Sequence, residues 1–419
     1  MNVKQLSTVA MALALAVGAA ACNTDSLTNL NTDPNNPTDA PPGPLFTGAV
    51  NVAVSRWLGT YDFGQVENLV QHIAETNYPS DDIYQTFTSA TNTRTSFDAP
   101  STAELESLRK VIAKGAALNQ PGLSGPSIVL QTWSFDYITD SFGDIPYSEA
   151  LKGDTAGGSR APVYDTQQSI YAGFFSALDQ AVGAMQSDPA GDPGLGSADP
   201  IYNGDLGAWT RFANSLHARY ALRLVNVDPT TANAELQAAF AGGMFESNDD
   251  NAKLVWPGDG VNNNPWANNL LARDDRRMSR TLLDSMVAMN DPRVPVFAQP
   301  VGDSTEHPNG YGGMPNGLPQ DSAVKWYNAA SRPGVIFYPG GTPYGTFGTS
   351  AGLKTPSYLM TYAEVMFIKA EAAERSLGGL SPSEAEADYD AGIVASMNQW
   401  GITDDVAINA YLARPDVAY

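Results

Sequence analysis

The chain has 419 residues, with 45 acidic side chains against 23 basic ones and a formal charge of −22. A field of that sign repels phosphate backbones and excludes nucleic acid as a partner. A single cysteine excludes an internal disulfide, and the length suits a helical-repeat array or one large α domain.

In chain order, residues 1–21 read MNVKQLSTVAMALALAVGAAA, with Lys4 as their one charge. The apolar run over residues 9–17 has the length of a signal h-region and is too short to span a bilayer. Small residues follow at 18–21, then the sole cysteine, Cys22. This resembles a bacterial lipobox, although Ala19 stands where Leu is commoner. The pattern predicts a lipoprotein signal peptide over 1–21, diacylglycerol on Cys22 and anchoring in a membrane. The alternative is an ordinary signal peptide with an incidental cysteine. Residues 22–40, rich in Asn and Thr with Pro34 and Pro37, read as a flexible lipidated tether.

Helical spacing then recurs. Ala49, Val50, Ala53, Val54 and Trp57 form one stripe, and Phe63, Val66, Leu69, Val70 and Ile73 a second. Later stripes are Leu105, Leu108 and Ile112; Leu130, Trp133, Tyr137 and Ile138; and Ile170, Phe174, Leu178, Val182 and Met185, with Asp165 and Thr166 placed as caps. Trp209, Phe212, Leu216, Tyr220 and Leu224 form another, Leu282, Leu283, Met286 and Met289 a short one. Two more close the chain, Tyr362 to Leu377 and Tyr389 to Trp400. No strict 34-residue signature repeats, but helix pairs of this length suit a degenerate helix–turn–helix solenoid. Residues 242–269 and 306–357 are instead dense in Gly, Pro and Asn with aromatics between them. Loops of that length are usually functional.

The segment QTWSFDYITDSFGDIPYSEAL (131–151) resembles a hallmark of the SusD/RagB family of outer-membrane nutrient-binding lipoproteins. Further matching segments keep the family's order. They are NTDPNNPT, PVYDTQQSIYAGFFSALDQA (162–181), IYNGDLGAWTRFANSLHARYALRL (201–224), NDPRVPVFA (290–298), YGGMPNGL (311–318) and TYAEVMFIKAEAAER (361–375). The resemblance covers nearly the whole mature chain and is nearest to the starch-binding-associated branch. It implies a mainly all-α fold, a superhelix of TPR-like helix pairs with minor β structure, as a single domain over 41–419. It also implies a SusC-like TonB-dependent transporter as partner and a lid-like position at the cell surface of the outer membrane. The family continues through another helical stretch, so a C-terminally truncated chain is one alternative.

The residues themselves read first as structure. In TDSFGDIPYSEAL, Gly143 ends a helix begun near Ser127, Pro146 bars its continuation, and Asp140 and Asp144 are expected to cap freed backbone donors. Asn203, Gly204 and Asp205 read as a turn and cap; Arg211 and Asn214 are expected to pin neighbouring elements. His72, His217 and His307 have no metal-like spacing. GTSAG (348–352) matches G-x-S-x-G but sits in glycine-rich loop, without the strand and helix a nucleophile elbow needs. The segments SNDDN and WPGDG offer oxygens to calcium but lack EF-hand spacing, and acidic turns are the preferred reading. No cofactor and no catalytic group are expected.

Capture without chemistry is therefore the predicted function. Sugar rings present C–H faces to aromatics while polar side chains serve their hydroxyls. The candidate ligand-binding residues are Trp256 and Trp266, then Tyr311, Trp326, Tyr338 and Tyr344, with Tyr78 and Tyr84 in an earlier loop. For each singly, packing against the core is the commoner fate of a large aromatic. Oligosaccharide is the expected cargo. Peptide import by the same complex and a non-nutrient envelope scaffold are the alternatives.

Overall fold

Apolar side chains three and four residues apart define the first helix of the computed structural model, α1 (Pro42–Ser55), which buries Phe46, Ala49, Val50, Ala53 and Val54. The structure describes residues 40–85, 94–155, 157–189, 191–301, 305, 307–338 and 352–419. Residues from Pro42 onward form one compact unit. After α1 the backbone runs in a π-helical stretch, Arg56–Val66, before one short turn of α-helix. Here the predicted second stripe fails. Leu69 and Val70 are each 48% exposed, and Ile73 belongs to strand β1 (Ile73–Glu75). The reason is tertiary: β1 pairs antiparallel with a strand two hundred residues away, and that ladder overrides local periodicity.

Helices α2 (Glu104–Leu118) and α3 (Pro121–Phe142) form the next pair. Asn119 turns the chain between them at φ 51°, and Pro121 opens α3 where a missing N–H costs nothing. α3 starts earlier than its apolar spacing suggests and carries Pro126 inside it. Gly143, at φ 75°, ends it as expected. Helix α4 (Gln167–Gln186) begins at Thr166, whose side chain accepts from the Ser169 amide. Helix α5 (Leu206–Arg223) begins at Asp205, which accepts from the Ala208 amide, and α6 (Pro229–Gly242) at Asp228. Asn214 donates to the carbonyls of Gly242 and Gly243 at 2.7 and 2.9 Å, and Arg211 pairs with Asp250, so both pin neighbours as expected.

The 131–151 segment forms a corner with a different division of labour. Asp144 accepts from the Gln167 amide at 2.9 Å and so joins the start of α4. The freed amides of Tyr147 and Ser148 go to Asp165, which their hydrogen bonds hold below the usual carboxylate range. Asp140 makes no backbone cap. It accepts from the Tyr171 hydroxyl and pairs with Arg223.

Strand β2 (Ala252–Leu254) precedes α7 (Pro265–Ala272), strand β3 (Arg276–Met278) and α8 (Arg280–Ala288). Strand β4 (Ser357–Met360) then leads into α9 (Tyr362–Glu374), α10 (Pro382–Gln399) and α11 (Asp405–Leu412). β1 pairs with β3 and β2 with β4, both antiparallel. The main core runs through α1 to α6 and on to β4 and α9, with Trp57, Trp133 and Trp209 fully buried in it. Trp209 alone meets Phe46 and Tyr202 edge to face and donates its indole N–H to Asp199 at 2.7 Å. Burial of such a ring contributes about 2–3 kcal/mol. These helices thus share one main core, and β1 and β3 lie outside it.

Candidate ligand-binding face

The ribbon of β1 and β3 ends in two turns that bring distant residues together. Past β1, Tyr78 sits at φ 57°, a left-handed conformation that a tyrosine rarely takes. Its amide donates to Gln320 Oε1 at 2.9 Å, and Gln320 Nε2 donates back to the Thr76 carbonyl at 3.2 Å. This clasp fixes the turn and leaves the Tyr78 ring 71% exposed. The Arg273 guanidinium lies 5.2 Å from that ring and is itself paired with Asp275.

Asp274, next to β3, is the hub of the face. It accepts from the Tyr327 hydroxyl at 2.6 Å, the Tyr338 hydroxyl at 2.8 Å, and Arg332 Nη2 at 2.7 Å. Burial alone would raise its pKa; these donors and the Arg277 charge outweigh that and hold the carboxyl near 2. Tyr327 in turn has Arg277 4.6 Å and Arg332 5.1 Å from its ring centre, yet stays 37% exposed. Its neighbour Trp326, half-buried, has Arg280 at 5.4 Å. Tyr78 with Arg273 and Trp326 with Arg280 each set a ring beside a guanidinium group, and the Gln320 clasp ties the Tyr78 turn to the segment that carries Trp326 and Tyr327.

Beneath this face lies an acidic underlayer. Glu75 pairs across the ribbon with Arg276, both buried. Burial pushes Glu75 up to about 8 against the pull of Arg276, and Asp81 and Asp275 add to the rise. Burial is the main cause, and the neighbouring carboxylates reinforce it against Arg276 and Arg273.

The predicted residues separate into groups. Tyr78 and Trp326 belong to this face. Tyr84, at φ 63° and 48% exposed, stands at the far end of the Tyr78 loop. Trp256 is only 2% exposed and donates to Ser357 Oγ at 2.9 Å, so the core takes it and leaves no ring face for a ligand. Tyr338 is 4% exposed and likewise turned inward, to Asp274. Trp266 is half-buried, with its N–H on the Leu58 carbonyl at 3.0 Å, and lines a separate cavity. Tyr311 packs half-buried against Met278 and its neighbours. Tyr344 and Cys22 lie outside the described residues, as does GTSAG except for Gly352. The reading from sequence missed Tyr327, Asp274 and the four arginines. The Trp-Tyr pair at 326–327 was the available signal.

The remaining candidates are structural. Asp250 accepts from the Glu246 and Ser247 amides, and Asp259 from those of Val261 and Asn262, so the oxygens offered to calcium serve turns. His217 is buried against Phe175 and hydrogen-bonded to Glu235 at 2.7 Å. Among the described residues no His, Cys, Asp and Glu cluster is placed to hold a metal ion, and no helix is long and apolar enough to cross a membrane. A groove of about 1020 Å³ runs over α4 to α6, but none of the predicted aromatics lines it.

Paired helices carrying loop-built aromatic positions define a helical platform of binding-protein type. The chain belongs to the SusD/RagB family: residues 34–419 match the SusD-like family described as "Starch-binding associating with outer membrane". A solved chitin-binding protein is 25% identical, over 89% of this chain and 79% of that one, with a TM-score of 0.73. A chitin-binding SusD homologue from Flavobacterium johnsoniae is 24% identical over 88% of this chain and 73% of its own, with a TM-score of 0.70. A SusD homologue from Bacteroides fragilis is 22% identical over 90% and 79%, with a TM-score of 0.72. The last two, below 25% identity, are evidence of fold alone. No functionally curated protein matches the chain.

Proposed function

We propose that the protein captures oligosaccharide at the Tyr78–Trp326–Tyr327 face and hands it, unaltered, to a SusC-like TonB-dependent transporter. The observation that carries this is the pair of exposed tyrosine rings held by distant clasps, with guanidinium groups beside them. Rings offer stacking faces to sugar C–H surfaces, and the exposed guanidinium groups of Arg273 and Arg280 offer donors to hydroxyls. The chitin-binding relative supports glycan as the cargo, and N-acetylglucosamine oligomers are the first choice. The family description supports the outer membrane as location. Lipid on Cys22, after removal of residues 1–21, supplies the anchor in this reading.

Calorimetry of the purified chain against chitin oligosaccharides, starch oligosaccharides and a peptide pool tests the cargo. Saturable binding of a glycan, lost in Tyr327→Ala, is the expected outcome; binding of peptides alone moves the same machine to peptide import. Cys22→Ser should move the protein out of the membrane fraction. Pull-down of the native lipoprotein should bring a β-barrel transporter with it, and a scaffold role is favoured if none comes.

A further inference from the structure

The other end of the β1/β3 ribbon closes off a cavity of about 390 Å³ that the glycan face does not use. Met278 of β3, Met286 of α8 and Met289 just beyond it, Trp266 of α7 and the rings of Phe297 and Phe337 line it. Its wall holds two ion pairs, each internally satisfied: Arg293 chelates Asp291 and donates to Ser396 Oγ at 2.8 Å, and His72 meets Glu67. It offers no counter-charge, so the guest is neutral. The wall is aromatic in a particular way. Trp266 and Phe337 lie 5.4 Å apart and tilted, and Trp400 backs Phe337 and Phe297 edge to face. Thioethers at ring edges, on flexible side chains, adapt well to a flat aromatic guest. A cavity of ~150 Å³ already takes benzene, so this one has room for a bicyclic ring. At its mouth stands His72, with a 46% exposed side chain and Nδ1 held by Glu67 at 3.0 Å. That pairing leaves the other ring nitrogen to meet a hydroxyl.

We propose that this cavity binds a neutral aromatic ring bearing an oxygen substituent, a phenol either free or carried on a glycan. The proposal does not rest on the glycan face and survives its failure. The test titrates the intact chain with 2-naphthol, decahydro-2-naphthol, 2-naphthyl N-acetylglucosaminide and methyl N-acetylglucosaminide, by calorimetry and tryptophan fluorescence. The expected result is saturable one-to-one binding of a naphthyl compound, at least fivefold tighter than the saturated ring, with a quench that Trp266→Phe removes. Leu282→Trp and Met289→Trp fill the cavity from two positions and should each weaken it at least tenfold, with far-ultraviolet circular dichroism and chitin-oligomer binding unchanged. Preference for naphthol assigns the free phenol, and preference for the naphthyl glycoside over both naphthol and the methyl glycoside assigns the glycan-borne ring. The proposal is overturned if neither naphthyl compound saturates, if the saturated ring binds as well, or if both filled variants bind like the wild type.

Discussion

Arginine clamps carboxylates throughout this molecule, but in one half it also packs on exposed rings. Among the paired helices it clamps: Arg219 holds Glu364 at 2.6 and 2.7 Å and ties α5 to α9, while Arg223 reaches Asp136 at 2.6 Å and ties α5 to α3. In the loop half the guanidinium groups of Arg273, Arg277, Arg280 and Arg332 also meet nearby aspartates, but they lie in addition against Tyr78, Trp326 and Tyr327. Helices satisfy their own backbone, so their side chains are available to join one helix to the next. The loops have no such ladder, and cation–ring contacts together with Asp274 hold them instead. One half is built to stay closed and the other to show rings to solvent.

The sharpest break of that contrast is Trp209→Ala. It removes a fully buried ring and its hydrogen bond to Asp199, and should cost about 3–5 kcal/mol in urea unfolding. Tyr327→Ala belongs to the other half. Glycan affinity should fall about tenfold, or roughly 1.4 kcal/mol, while the urea midpoint falls clearly less than in Trp209→Ala. A midpoint loss as large as that of Trp209→Ala would abolish the distinction. Asp274→Asn tests what holds the loops. Its folded pKa of about 2 lies below the ordinary 3.8, so its contribution is present above pH about 4 and lost as pH falls through 2. The wild type should lose about 1 kcal/mol more than the variant across that acid window, after discounting for solvent screening. Glu75→Gln tests the layer beneath and has the opposite sign. A folded pKa of about 8, above 4.5, gives stability fully present below pH 4.5 and lost as pH rises through 8. Urea midpoints of the wild type should therefore decline from acid to alkaline pH more than those of the variant; parallel profiles would contradict the reading of the underlayer.

The helical half was largely legible because its signals are local. The caps Thr166 and Asp205 and the stop at Gly143 lie within a few residues of what they govern. The stripe through Trp209 and Phe212 points the way it reads. The loop half was legible only as a region. Whether a ring there faces out depends on partners far along the chain. Trp256 is drawn in by Ser357 and Tyr338 by Asp274, separations of 101 and 64 residues. No spacing rule announces either. The arginines were missed for the same reason, since a guanidinium beside a ring is a tertiary event.

The left-handed backbone at Tyr78 and Tyr84 bears on natural variation. Each such tyrosine costs about 1–2 kcal/mol that glycine or asparagine would not. Drift toward robustness alone would erase both rings. Descendants that still use the Tyr78 ring should keep a bulky residue at 78, and lineages that abandoned it should show Gly or Asn there first.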